Sequence, residues 1–298
     1  MKRRRHIWWA FAAIPVVLVG WALLGEREPV YRGRTLSEWM VKRQSVRTLA
    51  EMEEADEALQ RIGTRGLHSM IEWLRHGEPP SWKTKLVEMA NRLPGGLVRL
   101  QAVGAHESEQ RWRQADSAAT MFYALGPGAT NAVPELLRML GNKREKGASG
   151  RAFLAISSLG KDALPYMLAA ISDATHSNRV EVIHIVGQMR GDLRPAVPVL
   201  VGCLREANVK VVLEGSRVLA SWKLEPEAVV PALSRGLTNQ DGSVRIGSAQ
   251  ALGDFGAGAR AAVTDLVMAL NHADGLTRSA AMAALRNVAP ELDLSGIK

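Results

Sequence analysis

A repeat of close to 33 residues constrains this 298-residue chain more than any other feature. Pro134, Pro165, Pro198, Pro231 and Thr264 follow one another at spacings of 31, 33, 33 and 33. Two residues before them stand Ala132, Ala163, Ala196, Val229 and Ala262, and one before stand Val133, Leu164, Val197, Val230 and Val263. Two residues after come Leu136, Met167, Leu200, Leu233 and Leu266, and six after come Leu140, Ile171, Leu204, Leu237 and Leu270. Apolar residues at these offsets trace one face of a helix, with proline near its first turn, where a missing N–H costs little.

A second helix repeats in the same register. Val186, Leu219, Leu252 and Leu285 recur every 33 residues, each preceded by three positions by Ile183, Ser216, Ala249 or Met282. Asn208, Asp241 and Asp274 share a column just before this helix, where a side-chain oxygen caps free N–H groups. Each unit is therefore expected to be a helical hairpin that cannot bury its apolar face alone. Stacked neighbours bury it, and the expected fold is an all-α solenoid of about seven hairpins.

Domain organisation follows from where this register holds. Residues 1–25 are a signal-anchor or transmembrane segment, 26–50 a stalk and lead-in helix opened by the capping box Thr35-Leu36-Ser37-Glu38, and 51–298 the solenoid. Residues 77–115 break the pattern with Pro79-Pro80 and Pro94-Gly95-Gly96 and form an irregular unit. Insertions in repeat arrays commonly map to one face, often a binding face.

The N-terminal segment carries the location. After the basic run Lys2 to Arg5, residues 7–25 hold 19 positions without a charge. As a helix they would span about 28 Å, close to the ~30 Å hydrocarbon core, with Trp8, Trp9 and Trp21 near the two interfaces. The positive-inside rule keeps the N-terminus cytoplasmic and places residues 26–298 on the extracytoplasmic side, periplasmic in a two-membrane envelope. Cleavage as a signal peptide is the alternative and would release a secreted body, although Ala22-Leu23-Leu24 and Leu23-Leu24-Gly25 are poor cleavage sites. Of the net charge of +8, half lies in this tip, so the basic balance is weak support for nucleic acid.

Asp241-Gly242-Ser243-Val244-Arg245 through Gly253, followed by Ala262-Val263-Thr264-Asp265-Leu266, resembles a HEAT repeat. More closely it is similar to the short HEAT-like repeat first described in phycobilisome lyases. The resemblance covers roughly residues 115–290, and residues 54–76 less well. The lead-in Tyr31-Arg32-Gly33-Arg34-Thr35-Leu36-Ser37-Glu38-Trp39 is similar to a segment that precedes the repeats in membrane-anchored bacterial HEAT proteins. The resemblance implies a non-catalytic scaffold or adaptor that binds another protein or an envelope complex from the membrane. Taken literally, it implies instead a tetrapyrrole-binding lyase; a nucleic-acid-binding HEAT protein is a third reading.

Nothing in the residue patterns points to catalysis, a cofactor or a metal. The seven histidines form no His-Glu-x-x-His pair, and no phosphate-binding loop or nucleophile elbow is present. The single cysteine, Cys203, is expected to be a buried thiol. Arg179, Arg245 and Arg278 share a column and either line an anion groove or tie loops between repeats, as the HEAT resemblance implies. Two basic clusters are candidate protein-binding surfaces: Trp82, Lys83, Lys85, Arg111, Trp112 and Arg113 in the irregular unit, and Lys143, Arg144 and Lys146 after the first proline helix. Tryptophan interleaved with cations is a frequent composition at interface hot spots.

Overall fold

A computed structural model describes residues 28–76, 112–141, 146–272 and 274–292. The contacts divide the chain into two compact units, Met1–Ala129 and Thr130–Lys298.

The first unit begins with two short strands, β1 (Val30–Tyr31) and β2 (Arg34–Thr35), paired antiparallel. Arg32 and Gly33 both have positive φ, the geometry of a two-residue turn that matches strand twist. Helix α1 (Leu36–Ser45) follows at once, capped by Thr35: its hydroxyl accepts the Glu38 N–H at 3.3 Å while Glu38 accepts the Thr35 N–H at 2.7 Å. Leu36, Trp39 and Met40 are buried, and the Trp39 indole donates to the Tyr31 carbonyl at 2.9 Å. Helix α2 (Leu49–Ile62) packs against α1 through Ala55, Ala58, Leu59 and Ile62. Helices α3 (Leu67–His76) and α4 (112–121) complete the described part. The segment expected as a stalk and lead-in helix is thus folded into this unit from residue 28 onward, because Trp39 and Leu36 supply it with a core.

The second unit is a stack of five hairpins among the described residues. Helices α5 (Val133–Leu140) and α6 (Lys146–Leu159), α7 (Leu164–Ser172) and α8 (Arg179–Gln188), and α9 (Val197–Cys203) and α10 (Val209–Trp222) form the first three. Helices α11 (Pro226–Gly236) and α12 (Gly242–Phe255), then α13 (Val263–Ala269) and α14 (Gly275–Val288), form the last two. The second helices stack on one another in the order α8, α10, α12, α14. Val186, Leu219, Leu252 and Leu285 are all buried at this seam. The caps behave as their column predicts: Asn208 accepts the Lys210 N–H, Asp241 those of Ser243 and Val244, and Asp274 that of Leu276.

The proline column departs from expectation once. Pro134, Pro165 and Pro198 stand at helix starts, but Pro231 lies inside α11. The reason is Pro226, which opens α11 more than a turn earlier and leaves Pro231 unable to donate to the Glu227 carbonyl. The other first helices of this unit are preceded instead by 3₁₀ turns, at Pro127–Ala132, Gly160–Ala163, Arg194–Ala196 and Gly256–Ala262.

This all-α repeat architecture is consistent with a solenoid. Among the described residues no helix is long and apolar enough to cross a membrane. The charge-free run 7–25, on which the expectation of a transmembrane or signal helix rests, lies outside the described residues.

Candidate interaction surfaces

Of the column arginines, Arg179 is buried, Arg245 half-buried and Arg278 exposed. Arg179, at the start of α8, donates through Nε to the Ile171 carbonyl at 2.7 Å and through Nη1 to Glu206 of the next hairpin at 2.6 Å. Arg245, at the start of α12, donates to the Asn239 and Gln240 carbonyls at 2.8 and 2.9 Å. It also reaches Thr277 Oγ1 at 3.1 Å and Asp274 Oδ2 at 3.2 Å in the next hairpin. Arg278 donates to the His272 carbonyl at 2.8 Å. Loop carbonyls take up part of each guanidinium group, and Arg179 through Glu206 and Arg245 through Asp274 tie the second hairpin to the third and the fourth to the fifth, while Val212 interrupts the column on α10. Bonds to the Thr277 hydroxyl, the Leu276 N–H and Arg245 hold the Asp274 carboxyl down at about 2.

Cys203 is 2% exposed on α9. Burial pushes its thiol up to about 11, against the smaller opposing pull of the nearby Arg179 guanidinium. Such a thiol is protonated at neutral pH and a poor nucleophile. Among the described residues no group of three or more His, Cys, Asp or Glu side chains is placed to hold a metal ion.

The two basic clusters are only partly within the described residues. Trp112 opens the described part of α4 and is 51% exposed, while Ala115, Ala118 and Ala119 form that helix's buried face. Arg113, beside it, is also exposed. Trp82, Lys83, Lys85, Arg111, Lys143 and Arg144 lie outside the described residues; Lys146 opens α6, and its side chain lies outside them too. Of the nine candidates, the described side chains are those of Trp112 and Arg113, consecutive in sequence and both exposed on α4.

A polar cluster on the second helices was not among the candidates. His184 of α8 is joined through Nδ1 to Glu214 Oε1 of α10 at 2.9 Å, and its Nε2 to Gln188 Nε2 at 2.8 Å. Arg217 forms a two-pronged pair with Glu214, its Nε at 3.0 Å from Oε2, and approaches His184 Nδ1 at 3.1 Å. The Arg217 bond holds the Glu214 carboxyl below its usual range, aided by His184 and opposed by partial burial. Phe153 of α6 lies beside the imidazole, its ring centroid 6.3 Å away. The signal was present in the register: His184 and Arg217 stand 33 residues apart, and Glu214 precedes Arg217 by three, on the same helix face.

Comparison with known proteins places part of this unit. No curated protein matches the sequence. Among solved structures, the chain is similar to an engineered protein at 19% identity, covering 59% of this chain and 90% of that one, with a TM-score of 0.37. It is also similar to human deoxyhypusine hydroxylase in complex with glycerol at 15% identity, covering 85% of this chain and 84% of that one, with a TM-score of 0.37. A designed armadillo repeat protein is similar at 14% identity, covering 85% of this chain and 99% of that one, with a TM-score of 0.28. A family model described as HEAT repeats matches residues 215–286. The match runs from within α10 to Arg286, two residues short of the end of α14, and covers the register of Leu219, Leu252 and Leu285.

Proposed function

We propose that this chain is a non-catalytic scaffold that binds another protein. The observation that carries the reading is Trp112, which is 51% exposed on α4 of the first unit and is followed in sequence by the exposed Arg113. An exposed indole next to a cation is a favourable anchor for a partner surface. HEAT and armadillo repeats generally mediate protein–protein interaction, which agrees with the family match at residues 215–286.

We further propose that the scaffold is displayed from a membrane on its exported side. That reading rests on the charge-free run 7–25 behind four basic residues. Photo-crosslinking from position 112 of the full-length protein in intact cells tests the binding reading. A discrete protein adduct is expected, and one that disappears when Arg113 is changed to Glu places the interface. Protease accessibility of the body in cells with a permeabilised outer layer tests the display reading, with digestion expected and protection contradicting it.

A further inference from the structure

The chain enters the first unit at a fixed point. Glu28 follows the charge-free run 7–25 by three residues, a span of at most about 11 Å. It is engaged at once. Its Oε2 accepts the Ser37 N–H at 2.9 Å, at the start of α1, and its Oε1 accepts Gln114 Nε2 at 3.4 Å, at the start of α4. The next residue, Pro29, accepts the Leu36 N–H through its carbonyl at 3.0 Å. A unit hung on a long stalk could turn any face to a bilayer. This one is held by the starts of α1 and α4.

Trp112 stands at that end. It precedes Gln114 by two residues, about 3 Å along the helix axis. In a chain displayed by residues 7–25, the exposed indole therefore lies beside the point where the chain arrives from the membrane. Whatever covers it is met just above the head groups.

Charge decides between lipid and protein as its neighbour. A surface that binds anionic head groups is basic. Here the carboxylates Glu28, Glu38 and Asp116 offset Arg32, Arg34 and Arg113. Arg32 is drawn to Glu57 at 3.6 Å and to the Tyr31 ring, and Arg34 lies over the Trp39 ring. Asp116 follows Trp112 by one turn on the same helix face, so sinking the indole into lipid would carry a carboxylate towards the phosphates.

We infer that the partner taken at Trp112 is itself a membrane-spanning protein, engaged through the stretch of its chain just outside its own span, with an apolar side chain over the indole. Two proteins confined to one bilayer present such surfaces at the same height, which raises their effective concentration. The inference rests on the protein-binding and display readings above. It adds the class of partner and the level at which it is met.

A photo-crosslinking residue at position 116 of the full-length protein leaves Trp112 in place. After irradiation of intact cells, the joined peptide is identified by mass spectrometry. It is expected within about ten residues of a membrane span of the partner, a reach of at most about 35 Å. Trp112→Ala is expected to remove the adduct. A semi-rigid, alanine-rich helical spacer of about fifteen residues inserted after Gly25 lifts the unit by about 22 Å. It is expected to lower the adduct at least fivefold, with the purified variant's circular-dichroism melt unchanged. The same spacer appended after Lys298 is expected to leave the adduct as it was.

A joined peptide from a protein without a span, or from a site far from one, overturns the inference, as does an adduct with lipid. An equal loss with the spacer after Lys298 also overturns it. No protein adduct from position 112 or 116 refutes the protein-binding reading, and protection from protease refutes the display reading; either takes this inference with it. A protein adduct undiminished by the spacer after Gly25 refutes this inference alone.

Discussion

Arg245 Nη2 lies 3.2 Å from Asp274 Oδ2, so the arginine that closes one hairpin's loop also grips the cap of the next hairpin's second helix. The carboxylate has two tasks in this arrangement. Its Oδ1 accepts the Leu276 N–H at 3.0 Å, and its Oδ2 accepts the Thr277 hydroxyl at 2.7 Å and Arg245. Coupling between neighbouring hairpins is thus built from the same residue that starts α14.

That double use has a pH signature. A carboxyl held at about 2 in the folded chain, against about 3.9 when unfolded, contributes stability present above pH 4 and lost as pH falls towards 2. Asp274→Asn keeps a capping oxygen but not the charge. The variant is expected to show a shallower loss of melting temperature between pH 4 and pH 2 than the parent, while both melt differently at pH 7. Parallel acid limbs in a pH series of thermal melts would refute the assignment.

Asn208 caps α10 through its side-chain oxygen, with the Lys210 N–H at 3.2 Å. Asn208→Ala removes the acceptor and is expected to cost about 1 kcal/mol in urea unfolding monitored at 222 nm. Asn208→Asp retains the acceptor and should restore most of it.

Gly236, the last residue of α11, faces Ser248 of α12 so closely that an added Cβ would come within 2.8 Å of the serine Cβ. No rotation of the serine side chain relieves that contact. Although alanine favours helix, Gly236→Ala is expected to destabilise by roughly 1–3 kcal/mol. Calorimetry showing a raised melting temperature would mean that the two helices can separate at no cost.

Much of this framework was legible in the chain itself. The columns of Leu219, Leu252 and Leu285 and of Asn208, Asp241 and Asp274 follow from local periodicity and capping chemistry, and the structure buries the first and bonds the second. Three features were less accessible. Pro226 moves the start of α11 upstream of its column because a second proline competes for the first turn. The Arg32-Gly33 turn makes a strand pair from residues that read as a polar stalk, since only positive φ at both positions reveals it. The His184–Glu214–Arg217 cluster joins helices some thirty residues apart, so it depends on stacking rather than on any local pattern. Most of the expected binding residues lie in the irregular region, where the register that guides the rest is interrupted.

Cys203 offers a direct check on burial. A thiol pushed up to about 11 and 2% exposed should react with a disulfide reagent at neutral pH far more slowly than the same residue in urea. A native rate approaching the unfolded one would show that α9 opens readily from the stack.

The central claim, that the chain binds another protein through its accessible surfaces, is tested most directly by placing a photo-crosslinking residue at position 112 of the full-length protein in intact cells. A matched site at Arg235, on α11, serves as the control. The account predicts one reproducible protein adduct from position 112 that is absent from position 235 and is lost with Arg113→Glu. No adduct from position 112, or the same set from both positions, would contradict it.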